Sequence, residues 1–474
     1  MPPAKSRTRA ERREGGPLHE QLARQLQERL TQEQMESRLP SLIVGLARDG
    51  ALVWWGARGS LGLGGDGPAT VSTQYRIGSI SKTFVAVGVM RLRDEGALDL
   101  NDPVGARLPE LADLPVTIGQ LLSHTSGLRA EPRGPWWERT PGMTFGDLVS
   151  SSLRPDDLLW RPGRRFHYSN VGYAVLGEVV ARKRSAPLGE VVREELLVPL
   201  GMSRTTLRPV APYAEGLAVH PHADVVLHEP EHDAGAMAPA GQLWSTIADL
   251  AIWSEVLAGH HPEILRTESV AEMSEPIAIS DEPDHPWNLA YGLGLELLNS
   301  NGQRRYGHGG GMPGYWAILL VDQATKDVVV ALANSTYQGL RPDFFNGLLS
   351  LLGAEQPRPH EAFQASPAGL DRRQQELLGT WYWGPVEYRM NLASDGQLLL
   401  KGVPSGRDCS FRPHVDGTYI GQSGYFEGER LEIHRRDDGS PAHLDIASFI
   451  FTRSPYETSA DIPGGLDERG WTTA

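Results

Sequence analysis

Between Ile80 and Met90 the chain is apolar almost all the way round a helical wheel, and Gly96 follows as a stop. A helix without a polar face has to be enclosed by other elements, so residues 80–95 predict a helix through the middle of a domain. With 474 residues, 40% of them hydrophobic and 22% charged, the chain can bury such a core and is long enough for two or three domains. The same segment carries Lys82, one of only five lysines in the chain. An unpaired ammonium is costly there, which marks the position for chemistry more than for solvation.

Charge and cysteine content narrow the function further. A net charge of −14 repels phosphate backbones and argues against nucleic-acid binding. Cys409 is the only cysteine, which excludes an intrachain disulfide and any cysteine-based zinc motif. Residues 1–16 read as a disordered basic tail without the apolar stretch of a secretory signal, and no window is apolar enough to span a bilayer. The expectation is a soluble, cytoplasmic protein acting on a small molecule, with no nucleic-acid or membrane partner and no cofactor.

Periodicity supplies the elements around the central helix. Leu22, Leu26, Leu30 and Met35 predict an amphipathic helix over 19–39, ended by Pro40. Residues 41–48 and 51–55 flank Asp49-Gly50 and predict a hairpin. Helices are expected at 117–123, where Thr117 and Gln120 have capping-box spacing, at 171–182 and at 246–258; strands are expected at 316–321 and 327–333. Residues 354–370 read as a linker. Beyond it, the short alternating segments 387–392, 397–401, 418–421 and 430–434 predict a small β-barrel. The expected division is a catalytic domain at 17–353 and a barrel at 371–474.

Three short motifs carry the chemistry. Ser79-Ile80-Ser81-Lys82 places a hydroxyl and an amine one turn apart at the start of the buried helix, where the helix N-terminus offers a backbone N–H. That arrangement suits an activated serine nucleophile, although a helix cap followed by a surface lysine reads the same way. Tyr168-Ser169-Asn170 precedes a helix; a phenol near an ammonium has its phenolate favoured and can act as a base, and Asn170 can orient a substrate carbonyl. Simple capping by Ser169 or Asn170 is the bland alternative. His308-Gly309-Gly310-Gly311 allows close backbone approach, so the Gly311 N–H can complete an oxyanion site while His308 presents a polar group to substrate; a functionless glycine hairpin is the other reading.

In this order, and with the phrases TIGQLLSHTSGL (117–128), PAGQLWSTIADL (239–250) and YGLG (291–294), the motifs resemble the serine β-lactamase and penicillin-binding-protein family over residues 17–352. The resemblance is strongest to class C β-lactamases, D-aminopeptidases and esterases. It implies an α+β fold: a central antiparallel sheet flanked by helices, with a helical subdomain. It also implies acylation of Ser79, proton exchange through Lys82 and Tyr168, substrate binding by Asn170, His308 and Gly310, and an oxyanion hole from the Ser79 and Gly311 N–H groups. Where the family often has K-T-G this chain has His308-Gly309-Gly310, and a histidine holds a substrate carboxylate less firmly than a lysine. A cytoplasmic esterase or peptidase is therefore favoured over a β-lactamase, a D-Ala-D-Ala carboxypeptidase or a non-hydrolytic penicillin-binding sensor. Residues 371–453 resemble a lipocalin-like domain, with Gly379-Thr380-Trp381 as its opening.

Two further features are weighed. His220, His222, His228 and His232 cluster in sequence, but their spacing and the prolines among them indicate a loop more than a metal site. Trp136-Trp137 either walls the cleft or plugs the core.

Overall fold

Asp49 and Gly50 both take positive φ, 49° and 73°, the conformation a two-residue hairpin needs, and they join strand β1 (Ser41–Arg48) to β2 (Ala51–Gly59). This hairpin opens an eight-stranded antiparallel sheet. Strands from late in the chain complete it: β3 (Ala278–Ile279), β4 (Leu289–Tyr291), β5 (Glu296–Ser300), β6 (Gln303–Met312), β7 (Tyr315–Asp322) and β8 (Val328–Ala333), in the order β2-β1-β8-β7-β6-β5-β4-β3. The architecture is the expected α+β one, seen in a computed structural model that describes residues 19–300, 302–336, 342–358, 372–393, 396–404 and 406–455.

Side-chain alternation along the sheet fills two apolar layers. Val328, Val330 and Leu332 of β8 enter one cluster, and Val329, Ala331 and Ala333 enter the other. The smaller layer is closed by helices α1 (Glu20–Glu36) and α6 (Pro342–Glu355), through Leu22, Leu26, Leu30, Leu348 and Leu352. Met35, counted on the apolar stripe from sequence, is instead 68% exposed. The larger layer holds α2 (Ser81–Asp94), preceded by a 3-10 turn at Gly78–Ile80. Around it lie α3 (Ile118–Leu122), α4 (Asn170–Arg184) and α5 (Ile247–Leu257). Thr117 caps α3 reciprocally with Gln120, as their spacing predicts.

Helix α2 is enclosed as its composition requires, with every residue from Ser81 to Val87 buried. Phe84 stacks on Trp253 of α5 at 3.9 Å, and the Trp253 indole N–H donates to Thr83 Oγ1 at 2.8 Å. These contacts fix the helix that carries Lys82.

The chain divides into two compact units between Pro359 and His360. The expected tail at 1–16 and most of the expected linker at 354–370 lie outside the described residues. The first part of that linker is ordered structure: residues 354–355 complete α6, and Arg358 pairs with Asp49 and Asp327. The second unit is a closed antiparallel barrel of eight strands: Gly379–Trp383, Val386–Leu392, Leu398–Gly402, Cys409–Pro413, Tyr419–Gly421, Arg430–Arg435, Pro441–Ile446 and Phe449–Thr452. Its interior is packed with Trp381, Met390, Leu400, Phe411, Leu444 and Phe451. Among the described residues no helix is long and apolar enough to cross a membrane.

Candidate active site

Ser79 sits in the 3-10 turn, one turn before Lys82, and the Lys82 Nζ lies 2.8 Å from Ser79 Oγ and 2.8 Å from the Ala240 carbonyl. Segment 240–243 clamps the turn from below: the Ile77 N–H donates to the Leu243 carbonyl, and the Leu243 N–H to Ser81 Oγ. Lys82 is wholly buried, and burial pulls its ammonium from the usual 10.5 down to about 7, while the carboxylates of Glu131, Glu296 and Glu138 push it back up. Near neutrality a large share of Lys82 is the free amine, whose lone pair can take the Ser79 proton.

The Tyr168 hydroxyl meets Ser79, and the Lys82 Nζ lies 4.9 Å from the centre of the Tyr168 ring. The expected phenolate is not favoured. Burial of the hydroxyl end, followed by the Glu296 charge, raises the phenol well above its ordinary value, and the contact with Ser79 only partly offsets this. Tyr168 is therefore favoured as a protonated phenol, suited to giving and relaying a proton, whereas the shift at Lys82 suits that residue better to accepting one. Ser169 does cap α4, accepting the Gly172 N–H at 3.0 Å, so capping and the placement of Tyr168 come from the same three residues.

On the opposite wall, β6 presses its glycines against the nucleophile turn. A Cβ on Gly310 would fall 2.0 Å from the Ile77 carbonyl oxygen and 3.0 Å from the Ser79 nitrogen, so only glycine allows this approach. A Cβ on Gly78, which has a φ of 51°, would meet the Gly311 nitrogen at 2.6 Å. The Gly309 N–H is taken by Glu296 Oε2 at 2.9 Å, and antiparallel alternation turns the Gly311 N–H to the same side, away from β7. The Ser79 and Gly311 nitrogens thus both lie where the glycine strand meets the Ser79 turn, an arrangement that suits a pair of oxyanion donors.

His308 and Asn170 are placed differently from expectation. The His308 ring is fully buried on the same face of the strand as Gly310, with its centre 6.2 Å from that of the Tyr168 ring: its Nδ1–H donates to the Gly309 carbonyl and its Nε2 accepts from the Tyr291 hydroxyl at 2.9 Å. Burial lowers its pKa, so the ring is neutral and does not face the cleft. Asn170 directs its Nδ2 to Glu131 Oε1 at 2.6 Å, and Glu131 also accepts the Trp137 indole N–H at 2.7 Å.

The cleft over Ser79 has a volume of about 420 Å³ and is walled by Tyr168, Trp136, Glu138, Gly309–Gly311, Tyr315 and Trp316, with no Lys or Arg among its described lining residues. The tryptophan pair divides its labour: Trp136 is 56% exposed in the cleft wall, and Trp137 is buried. Of the four histidines of 220–232, His232 meets the Trp137 carbonyl and His228 lies beside Glu215, while the His222 N–H donates to His220 Nδ1 at 3.2 Å.

Sequence reasoning missed Glu131, Glu138, Glu296 and the Ala240 carbonyl. Glutamates are too common for spacing to single them out, and a carbonyl has no sequence signature at all. The phrases around Ala240 and Tyr291 were the only available signal.

Comparison with known proteins identifies the family and the fold. The β-lactamase family profile matches residues 24–350, and a profile described as a domain of unknown function, DUF7586, matches residues 370–453. The chain belongs to the β-lactamase family. Within that family it is 27% identical to penicillin-binding protein 4 of Amycolatopsis lactamdurans, over 69% of this chain and 88% of that protein. It is 28% identical to β-lactamase-like protein 2 of Dictyostelium discoideum over 49% of this chain, and it spans only 44% of that protein's length. A D-stereospecific amidohydrolase from Streptomyces sp. is similar in structure, with a TM-score of 0.56 and 26% identity over 71% of this chain and 98% of its own. An octameric penicillin-binding protein homologue from Pyrococcus abyssi shares the fold, with a TM-score of 0.61 and 22% identity over 90% of this chain and 99% of its own. Together these place the first unit in a β-lactamase-fold family of serine hydrolases.

Proposed function

We propose that this β-lactamase-family chain hydrolyses an ester or amide through an acyl-Ser79 intermediate. The observation that carries the reading is the 2.8 Å contact between Ser79 Oγ and Lys82 Nζ, an amine whose pKa burial pulls down to about 7. Lys82 takes the Ser79 proton as Oγ adds to the substrate carbonyl. The tetrahedral oxyanion is held by the N–H groups of Ser79 and Gly311. As the carbonyl re-forms, the bond to the leaving oxygen or nitrogen breaks and Tyr168 supplies its proton, which Lys82 replaces. Water then attacks the acyl-enzyme, giving one proton back through the same pair and releasing the acid.

The lining favours substrates without a carboxylate near the scissile bond. Glu138 lies in the cleft wall, Glu131 is held beside Asn170, and His308 supplies no cation. The ester or amide reading is therefore preferred to β-lactam or D-Ala-D-Ala hydrolysis, and the amidohydrolase likeness supports it. A panel of short-chain nitrophenyl esters, D-amino-acid amides and nitrocefin tests both points. Ser79→Ala is expected to abolish turnover and labelling by a fluorophosphonate; retention of both by the variant rejects the reading. Stoichiometric labelling of the native protein without repeated turnover would instead favour a sensor.

A further inference from the structure

We propose that His124 is a positioning residue that holds Tyr168 against Ser79; this rests on the hydrolase reading above. His124 lies just after α3, fully buried, with a φ of 56°. A non-glycine residue in that left-handed conformation is strained and persists only where its surroundings hold it.

What holds it is the segment that carries the phenol. The His124 carbonyl accepts the His167 N–H at 2.8 Å, and its Nδ1 accepts the Ser169 N–H at 3.0 Å. The two residues flanking Tyr168 are therefore both hung on one histidine. Between these bonds the His124 ring lies against the Tyr168 ring, with centres 4.2 Å apart. The rings of Tyr291 and Tyr173 enclose it further, at 4.5 and 5.1 Å.

The ring acts by shape and by one acceptor, not by charge. Because Nδ1 accepts, the proton resides on Nε2, which is buried without a partner. Burial, with Lys82, His308 and His167 nearby, holds the imidazole far below its usual value, so it remains neutral across the working range. His124 is not itself part of the cleft lining, and the lining residue its ring packs on is Tyr168, so its effect on the reaction is assigned to Tyr168.

The test uses two variants and two substrates sharing one acyl group. His124→Phe keeps an aromatic face and loses the acceptor; His124→Asn keeps an acceptor, tolerates the left-handed conformation and loses the ring. A nitrophenyl ester leaves as a stable anion, whereas an alkyl ester or amide must be protonated, which is the step assigned to Tyr168. Because kcat/KM reports steps through acylation, it is read for both. A misplaced phenol is expected to lower kcat/KM for the unactivated substrate by up to about a hundredfold in the Phe variant and about tenfold in the Asn variant, with a much smaller loss on the nitrophenyl ester. Tyr168→Phe should show the same selective loss, and combining it with His124→Phe should add little.

Either histidine variant alone decides the matter. Equal loss on both substrates, or no loss, overturns the positioning role. Ser79→Ala run alongside separates the two failures. If it is inactive while the His124 variants show no selectivity, only the positioning role falls; if it retains turnover, the hydrolase reading falls as well.

Discussion

The two walls of the cleft are built on opposite principles. The helical wall, from α2 and the segment entering α4, places ionisable groups in poorly solvated surroundings: Lys82 is pulled down to about 7 and the Tyr168 phenol is pushed up. The strand wall, from β6, contributes no ionisable group to the cleft. His308, its one titratable side chain near Ser79, is turned inward and satisfied by Tyr291 and Gly309, and what faces the nucleophile is glycine backbone. One wall moves protons and the other defines a shape. Changes to the first should therefore alter pH dependence, and changes to the second should alter rate without moving the pH profile.

The largest effect is expected from Lys82→Met. Removing the base should lower kcat/KM by at least about a thousandfold. Removing a buried cation that is paired with no single carboxylate should also raise the melting temperature by roughly 2–4 °C. In the native protein the acid limb of kcat/KM should rise through about pH 7, as Lys82 loses its proton beside Tyr168, Tyr173, His124, His308 and the three carboxylates that face it. The sign for stability follows from the same shift. An unfolded lysine keeps its proton to about 10.5, whereas the native one releases it near 7, so the unfolded state binds more protons between these values and stability from this group grows as pH rises through that window. A rate profile flat between pH 6 and 9 would show that Lys82 is not the base.

The strand wall is probed by Gly310→Ala. Its added Cβ would lie 2.0 Å from the Ile77 oxygen and 3.0 Å from the Ser79 nitrogen, forcing the two oxyanion donors apart. A loss of about a hundred- to a thousandfold in kcat is expected, with the acid limb still near pH 7. Movement of the limb along with the rate would erase the distinction between the walls.

How much of this could be read from the sequence follows the same divide. The helical wall was legible because its signals are local: an apolar helix, i to i+3 spacing, a capping box at Thr117 and a rare lysine. The Asp49-Gly50 hairpin and the strands at 316–321 and 327–333 were local too. The first three strands of the sheet's far edge, between Ala278 and Ser300, were missed because each spans five residues or fewer and draws its stability from pairing across the sheet. The direction of the Tyr168 shift was also hidden, since it depends on burial and on Glu296 from a distant strand. So was the inward turn of His308, which is set by Tyr291, a residue two strands away in the sheet whose hydroxyl no spacing rule connects to it.

That inward turn yields the smallest expected effect and the sharpest test of the strand wall. In His308→Gln the side chain can still meet the Tyr291 hydroxyl but loses the ring's fixed geometry. Stability should fall by about 1 kcal/mol, measured by denaturant unfolding, because one buried hydrogen bond is weakened. KM should change by less than about threefold for neutral and carboxylate-bearing substrates alike, since the ring does not line the cleft. A tenfold rise in KM confined to carboxylate-bearing substrates would mean that His308 swings outward to meet them, which would give this wall a charge-reading role after all.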